Sequence, residues 1–478
     1  MSKTNIMSIG VAVLAGLLFG CANLPTEQKP QPLNRDARFD NAVLRATTDH
    51  ADALYKVGEK MVFTLKLEGL AEKVDGAYYL DWTQQRDDGT EPRGVEPFDL
   101  SAPKVFETSI DRPGFVRYCF TLLGADKRPI YKSKDGVWGP ISFTCECGAG
   151  AEPEKLDFPP EPKDFDAFWR RQLAELKTVP MDAKVEQIPF KDKGFDCYRL
   201  SIPCAGGRPV TGYMTVPKGA KDAKWPLTIS FHGYGTFKQT APEVWAPDKI
   251  DLSINAHGYD LDREPEYYKE FWRGVKLNER GQYGMDPADN ARPETSYFRG
   301  MVLRAVRAVE WAKTLKNWDG RNLRVWGGSQ GGMQSLWVAA LVDDITELEP
   351  IVPWGADIIG KTKGRYSFPA LRLEYAPGLD YYDTVNFAKR IPATCRVNIS
   401  RAGLGDIHCP PSGQWLLYRA IRAPKSITFL QNSNHGGAPG GKEKNQHKIY
   451  SEGVAADAPK GVESSATSLL GDAWRDAK

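Results

Sequence analysis

The sequence predicts a mainly parallel, doubly wound α/β sheet that follows a small all-β domain. The chain has 478 residues, which is room for two or three domains. Its first third contains short β-rich runs separated by turn residues, with no long amphipathic helix between them. The remainder alternates short apolar runs with segments of helical periodicity, as expected for a parallel sheet. With 45 Gly and 34 Pro, the composition favours a loop-rich α/β or β protein over a helical bundle.

Charge and cysteine content exclude some classes of function. Lys and Arg number 63 against 61 Asp and Glu, so the net charge of +2 gives no basic field for a phosphate backbone. We therefore expect no nucleic-acid partner. The eight cysteines include no C-x-x-C pair, which argues against a structural zinc site.

Residues 1–20 are typical of a bacterial lipoprotein signal peptide. The apolar run Ile6–Phe19 is too short to span a bilayer comfortably and suits the core of a signal peptide. Leu18 stands three positions before Cys21, as in a lipobox, so Cys21 is the predicted lipid attachment site and 21–36 the tether. We expect an exported lipoprotein anchored to the outer membrane, on its periplasmic or cell-surface face. The alternative is a plain secretory peptide whose cysteine is incidental.

Setting Cys21 aside leaves seven cysteines, so at least one thiol stays unpaired in an oxidising compartment. Cys197 and Cys204 flank a short stretch and are candidates to bridge a hairpin. The β domain offers alternative pairings among three cysteines: Cys119 with Cys145 or Cys147. Sequence alone does not choose between these pairings.

Residues 37–147 are predicted to form a small sandwich of immunoglobulin-like type. The four β-rich runs on which this rests are Met61–Leu67, Ala77–Trp82, Gly114–Thr121 and Val137–Thr144. Several of them alternate apolar and polar residues, and turn sequences separate them. The Pro-rich stretch 148–163 is the predicted linker.

Residues 164–455 are predicted to form the doubly wound domain, and 456–478 a polar tail. An amphipathic helix begins near Asp164, and a second helix is expected over Tyr297–Leu315. The predicted strands are Pro226–His232, Ile250–Asn255, Leu323–Trp326, Arg396–Ser400 and Ile427–Leu430. In such a sheet, functional side chains follow the carboxyl ends of the strands.

One motif carries the chemistry of this domain. Gly327-Gly328-Ser329-Gln330-Gly331 matches G-x-S-x-G, directly after a predicted strand and before the helix-compatible run Met333–Leu341. A strand–turn–helix of this kind exposes the serine hydroxyl on a sharp turn, with glycines required two positions away on either side. Ser329 is therefore the predicted nucleophile. The alternative is a Gly-rich turn around a buried structural serine.

A serine nucleophile needs a base, and the base needs an orienting acid. Asp406 follows the strand that ends near Ser400, and His435 follows the strand that ends near Leu430, which is the expected chain order. We predict that they are the acid and the base. Asp357 and Asp380 also follow Ser329 and remain alternatives for the acid, whereas His408 is interpreted as a loop residue.

Backbone donors must also face the developing oxyanion. The N–H of Gln330, directly after the nucleophile, is one predicted donor. Tyr234, in the glycine-rich loop Phe231–Gly235, is the other. His232 precedes the elbow by nearly 100 residues, so a structural role is preferred for it.

Together these residues resemble the acetyl xylan esterase and cephalosporin-C deacetylase family of α/β-hydrolases (carbohydrate esterase family seven). The resemblance covers about residues 160–450 and includes His232-Gly233-Tyr234, Tyr297-Phe298-Arg299-Gly300, Gly327–Gly332, Asp406–Pro411 and Asn434-His435. It implies that Ser329, Asp406 and His435 form a triad, with Tyr234 and Gln330 in the oxyanion hole. It also implies hydrolysis of acetyl esters on small glycans, with no metal or cofactor.

The chain departs from the family pattern in three places. Arg280-Gly281-Gln282 stands some 20 residues later than the family's Arg-Gly-Gln. Either an insertion displaces the motif, or His257-Gly258 takes its place and the later match is coincidental. The second interpretation is preferred, so no role is assigned to Arg280. The family's catalytic His is typically followed by Glu, whereas this chain has Gly436. The extra β domain could obstruct the ring-like oligomers common in the family, so a homo-oligomer is left open.

Three functions are therefore weighed. The leading hypothesis is a lipid-anchored serine esterase, a carboxylic ester hydrolase that removes O-acetyl groups from acetylated oligosaccharides of the xylan type. A serine peptidase of the prolyl-oligopeptidase kind shares the motif and the triad order, but about 110 residues before the linker cannot form its propeller. A glycan-binding surface lipoprotein with an inert hydrolase domain is the non-enzymatic alternative.

Overall fold

The computed structural model describes residues 32–452 except 71, 136–139, 221, 237, 243–247, 276, 280, 367–372, 436 and 438–445. The predicted signal peptide, Cys21 and the predicted polar tail lie outside the described residues. Within the described part of the chain, no helix combines the length and apolar character needed to cross a bilayer.

The N-terminal part is a sandwich of two β-sheets. Its strands are β1 (Asn34–Arg35), β2 (Val43–Thr48), β3 (Leu54–Tyr55), β4 (Met61–Glu68), β5 (Tyr79–Arg86), β6 (Arg93–Pro97), β7 (Lys104–Thr108), β8 (Gly114–Leu123), β9 (Ile130–Tyr131) and β10 (Thr144–Ala151). One sheet has the order β2-β4-β7 and the other β3-β10-β8-β5-β6, while β1 pairs with β9. Phe63 of β4 meets Tyr118 of β8 at a ring distance of 4.9 Å, so the two sheets share one core.

The last strand of the sandwich does not lie where the sequence predicts it. In Val137–Thr144, the described residues from 140 onward form no strand before Thr144, apart from an isolated bridge at Ser142. The strand instead covers Thr144–Ala151 and so includes four residues of the predicted linker. Its Cys-Glu-Cys-Gly-Ala-Gly-Ala sequence has a linker's small residues, yet all eight residues of the strand pair with β8.

All seven described cysteines are free thiols, so the candidate disulfides are not formed. Cys119 lies opposite Glu146 in the β8–β10 ladder, and residues on either side of Glu146 point to the other face of the sheet. Cys145 and Cys147 therefore face away from Cys119. Cys197 lies near the start of an eight-residue strand that ends before Cys204, so no hairpin brings these two together.

The second domain is built on one ten-stranded sheet. Its strands are β11 (Lys184–Ile188), β12 (Phe195–Ile202), β13 (Val210–Pro217), β14 (Trp225–Phe231), β15 (Ile250–Ile254), β16 (Trp318–Gly328), β17 (Glu347–Ile351), β18 (Arg396–Gly403), β19 (Lys425–Leu430) and β20 (Gln446–Glu452). The order is β11-β12-β13-β15-β14-β16-β17-β18-β19-β20. The six strands from β15 to β19 in this order are parallel, and the flanking strands are antiparallel. This confirms the predicted fold class.

Six α-helices accompany this sheet in the described residues: α1 (Phe165–Lys177), α2 (Pro265–Gly274), α3 (Tyr297–Ala312), α4 (Gln330–Leu341), α5 (Thr384–Ala388) and α6 (Pro411–Ala420). Five short 3-10 helices are Ala37–Phe39, Pro153–Lys155, Asp289–Ala291, Ile358–Lys363 and Pro377–Tyr381. Every residue of α4 is buried, because this helix packs on β14, β16 and β17 and lies between α3 and α5. The first residue of α4 follows Ser329 directly.

The sandwich packs tightly against the loops that follow β18 and β19. The side-chain amide of Gln431 exchanges two hydrogen bonds of 2.8 Å with the backbone of Gly148, and that of Asn432 makes the same exchange with Ala46. A Cβ atom on Gly148 would lie 2.2 Å from the carbonyl oxygen of Leu404. The two domains therefore meet backbone to backbone at this point.

We expect Gly148→Ala to lower the free energy of unfolding by about 3 kcal/mol, because backbone on both sides must shift to admit the methyl group. Thermal unfolding of the full chain measures this. Gly274→Ala is the matched control, since Gly274 has no atom within 4 Å of the position its Cβ would take. Equal melting temperatures for the two variants would show that the contact at Gly148 is not tight.

Candidate active site

Ser329 lies on a strained turn between β16 and α4. Its φ of 55° and ψ of −116° are unfavourable for a residue with a side chain. The turn is held by hydrogen bonds from the Ser329 N–H to the Ile351 carbonyl (2.9 Å) and from the Trp354 N–H to the Ser329 carbonyl (3.0 Å). This is the conformation of a nucleophile elbow.

The glycines on either side of Ser329 are required by space. A Cβ atom on Gly327 would lie 2.5 Å from the backbone of Gly331, and one on Gly331 would lie 2.1 Å from the carbonyl oxygen of Phe231. The chain around Ser329 is thus pressed against the end of β14. Both glycines are therefore sterically required, as the motif predicts, and Ser329 stays the predicted nucleophile.

Asp406 and His435 form a hydrogen-bonded pair. The Nδ1 atom of His435 lies 2.9 Å from Oδ2 of Asp406, which is fully buried. The other carboxylate oxygen of Asp406 accepts the backbone N–H groups of His408 (2.7 Å) and Cys409 (2.9 Å). These bonds fix the carboxylate, which in turn fixes the ring and leaves Nε2 as the nitrogen that can take a proton.

The topology brings Ser329, Asp406 and His435 to one edge of the sheet. Ser329 follows β16, Asp406 follows β18 and His435 follows β19, and these strands are parallel within the run β16-β17-β18-β19. The carboxyl ends of parallel strands meet at the same edge. The three predicted residues therefore belong to one site.

Cys409 connects the two halves of this site. Its buried sulfur is hydrogen-bonded to the Ser329 side chain. The same sulfur lies within 4.8 Å of a carboxylate oxygen of Asp406 and of a ring nitrogen of His435. Burial, with a contribution from Asp406, raises the pKa of this thiol well above its ordinary value. Asp406, Cys409 and His435 are the described residues whose geometry could hold a metal ion, but His435 Nδ1 is already bonded to Asp406.

The alternative acids are engaged elsewhere. Asp357 forms a two-pronged ion pair with Arg365, with distances of 2.6 Å to Nε and 2.9 Å to Nη2. Asp380 accepts the Tyr375 hydroxyl at 2.9 Å. His435 is thus oriented by Asp406 and not by either of these.

Gln330 and Tyr234, the predicted oxyanion donors, are connected through a third residue, Tyr283. Gln330 begins α4, and the first N–H groups of a helix have no intrahelical acceptor. Its side-chain oxygen accepts the hydroxyl of Tyr283 at 2.7 Å, and the same hydroxyl accepts the Gly235 N–H at 2.9 Å. Tyr234 stacks on Tyr283 at 4.1 Å. Tyr283 therefore joins Gln330 to the loop that contains Tyr234, a connection that the sequence did not indicate.

One half-buried histidine, His232, and one buried histidine, His257, support the loop that contains Tyr234. His232 Nδ1 lies 2.7 Å from the Gly233 carbonyl and its Nε2 accepts the Ala256 N–H, and burial lowers its pKa to about 4. His257 lies 3.0 Å from the Gly235 carbonyl and 2.8 Å from the Tyr297 hydroxyl. The structural role predicted for His232 agrees with this geometry.

Other predicted features have mixed outcomes. His408 is a loop residue as expected, but its ring lies 4.8 Å from that of His435 and burial lowers its pKa to about 4. Arg280 and Gly436 lie outside the described residues. A cleft beside the site is lined by Trp354, Ile358, Tyr366 and His408 among others.

The sandwich domain contributes side chains beside the acid. Arg117 of β8 donates from Nε to the carbonyl oxygen of Gly405 at 2.5 Å and forms an ion pair with Glu146 at 2.5 Å. Glu146 in turn is hydrogen-bonded to Asn434, next to His435. Burial raises the pKa of Glu146, and Arg117 opposes the rise. Sequence patterns did not reveal Arg117, because nothing local links it to a residue 288 positions away.

We expect Arg117→Met to lower kcat by about 10- to 100-fold with a smaller change in KM, because the Asp406 loop loses a support. Stability should fall by about 3–5 kcal/mol, since Glu146 is left buried without its partner. Steady-state kinetics and thermal unfolding measure the two effects.

The double variant Arg117→Met/Glu146→Gln separates these effects. Removing both charges should restore most of the stability while kcat stays low, since the bond to Gly405 is still missing. A normal kcat in the single variant would contradict a positioning role for Arg117.

Comparisons with known proteins identify the family of this chain. The model of the acetyl xylan esterase (AXE1) family matches residues 157–359 and 373–452, more than half of the chain. Acetyl esterase Axe7A of Xylanibacter ruminicola is 30% identical over 409 residues, covering 81% of this chain and 85% of that protein. The acetyl xylan esterase structure from Paenibacillus sp. R4 covers 60% of this chain and 94% of its own, with 23% identity and a TM-score of 0.52. The chain belongs to the acetyl xylan esterase family, carboxylic ester hydrolases with the α/β-hydrolase fold.

Proposed function

We propose that this protein hydrolyses O-acetyl esters on small glycans of the acetylated xylo-oligosaccharide type, through an acetyl-enzyme on Ser329. The observation that carries the proposal is the Asp406–His435 pair, 2.9 Å apart, at the same sheet edge as the strained Ser329. Membership of the acetyl xylan esterase family supports the choice of acetyl esters.

In the first half of the reaction, His435 Nε2 takes the proton of the Ser329 hydroxyl as its oxygen attacks the acetyl carbonyl carbon. The carbonyl oxygen becomes an oxyanion that accepts the backbone N–H groups of Gln330 and Tyr234. Asp406 stabilises the imidazolium that forms. His435 then returns the proton to the sugar oxygen as the ester bond breaks.

In the second half, a water molecule takes the place of the sugar. His435 removes a proton from this water, whose oxygen attacks the acetyl carbon bound to Ser329. The second tetrahedral intermediate uses the same two N–H groups. Its collapse releases acetate and returns the proton to Ser329.

Release of acetate tests the proposal. Wild-type protein and Ser329→Ala are compared on acetylated xylo-oligosaccharides, a chromogenic acetyl ester and a prolyl peptide. We expect acetate from both esters with the wild type alone. Cleavage of the peptide without acetate would favour the peptidase alternative, and no reaction on any substrate would favour the inert binding protein.

We further propose that the enzyme is exported as a lipoprotein attached through Cys21 and held at the outer membrane. The support is the sequence of the first 21 residues, with an apolar run that ends at a lipobox-like Cys. Metabolic labelling with a fatty-acid analogue should mark the wild type and not Cys21→Ser. Labelling of both would refute attachment at Cys21.

A further inference from the structure

A second cleft lies at the same edge of the sheet as Ser329. Among its lining residues are Gly206, Arg208, Phe271, Ser296, Tyr297 and Arg304. Arg208 lies just before β13, whose first residues pair with the last residue of β15, and Tyr297 begins α3. The cleft is therefore next to the loops that build the active site.

Arg304 is a buried cation that has no carboxylate partner among the described residues. Its side chain is about 1% exposed, and its Nε donates to the carbonyl oxygen of Ala256 at 2.9 Å. Its Nη2 is buried and has no hydrogen-bond partner among the described residues. Burial, with a contribution from Arg208, lowers the pKa of Arg304 to about 10. A buried guanidinium left in this state is costly unless an anion approaches it.

Arg208 adds a second positive charge to the cleft. Its guanidinium carbon lies 5.3 Å from the ring centres of both Phe271 and Tyr297. Within the described part of the chain, no acidic side chain forms an ion pair with Arg208 or Arg304. The amino end of the 16-residue helix α3 also faces the cleft and adds partial positive charge.

The remaining charged residues of the cleft do not cancel this excess. Arg299 is bonded to Gln172 and Glu175, so it is already compensated. Glu294 also lines the cleft, but it is exposed to solvent. Arg208, Arg304 and the amino end of α3 thus face a space whose one acidic lining residue, Glu294, is exposed to solvent.

We propose that the Arg208–Arg304 cleft is a binding site for an oxyanion, and that this is the carboxylate of a uronic-acid unit on the glycan substrate. Guanidinium groups suit carboxylates because both are planar and can form paired hydrogen bonds. The identification of the anion as a carboxylate of the glycan substrate rests on the proposed function, whereas the existence of the oxyanion site does not. A free oxyanion such as phosphate has the same chemistry.

Binding is tested first, without catalysis. Thermal unfolding of the full chain is recorded with sodium glucuronate, phosphate or glucose at constant ionic strength. We expect glucuronate and phosphate to raise Tm by about 2 °C or more at saturation, and glucose to leave it unchanged. The shift should vanish in both Arg304→Met and Arg208→Gln. Arg208→Gln should fold normally, because the side chain of Arg208 is half-exposed. Arg273→Gln, an exposed arginine of α2, is the matched control and should keep the shift.

An equal shift with glucose, or an undiminished shift in both cleft variants, would overturn the oxyanion site. The source of the anion is then decided by kinetics on acetylated xylo-oligosaccharides with and without a uronic-acid branch. We expect KM to be about tenfold lower for the acidic substrate in the wild type, with the difference lost in Arg208→Gln. Equal KM values would overturn the glycan carboxylate and assign the site to a free oxyanion. A failure of esterase activity would leave the Tm result intact, so the two proposals fail separately.

Discussion

Ser329→Ala is expected to lower kcat on acetyl esters by about 10⁴- to 10⁶-fold, because the acetyl-enzyme can no longer form. The remaining rate would come from substrate binding and the oxyanion hole alone. Release of acetate under single-turnover conditions measures the loss, since it detects rates far below one turnover per minute.

The folded state of Ser329→Ala serves as the control. Alanine has a Cβ atom as serine does, so the substitution does not relieve the backbone strain at φ 55°. The melting temperature should therefore stay close to that of the wild type. A variant that melts normally and still releases acetate at the wild-type rate would remove Ser329 from the mechanism. Loss of activity with loss of folding would require Ser329→Cys as a second test.

Asp406→Asn should lower kcat by about 10⁴-fold with little change in KM. The carboxylate oxygen that lies 2.9 Å from His435 Nδ1 is replaced by a group that can donate a hydrogen bond, so the ring is held in the wrong tautomer. The proton then sits on Nε2, which can no longer take one from Ser329. Steady-state kinetics on a chromogenic acetyl ester measures the effect.

Asp357→Asn and Asp380→Asn are the comparison variants for this prediction. Both carboxylates were candidates for the acid, and both contact other partners. Asp380→Asn should keep kcat within a few-fold of the wild type, and Asp357→Asn should mainly lower stability through Arg365. A near-normal rate in Asp406→Asn would show that another group orients His435.

The structure brings Ser329, Asp406 and His435 to one edge of the sheet, as the sequence predicts, because one regularity connects them. Each follows a strand, and parallel strands bring their carboxyl ends together, so the order of elements along the chain was enough. The requirement for glycine at positions 327 and 331 was equally local. A Cβ atom at either position would collide with the backbone of the turn itself or of the adjacent strand.

The contacts that sequence reasoning missed are those between distant segments. The strand Thr144–Ala151 contains Gly and Ala because its backbone lies against Leu404 and Gly405, and the same small residues are typical of linkers. Arg117 and Tyr283 act through partners far along the chain. The disulfide candidates failed for a related reason, because strand register and not cysteine spacing sets which side chains face each other.

The backbone contact at Gly148 has a consequence for evolution and engineering. A domain joined through a flexible linker can be exchanged between proteins by recombination within that linker. Here the contact between the two domains also includes Gln431 and Asn432, which lie nearly 300 residues after Gly148 in the chain. A chimaera that imports the sandwich of a relative must therefore import the matching loops after β18 and β19, and the two halves are expected to have diverged as one inherited unit.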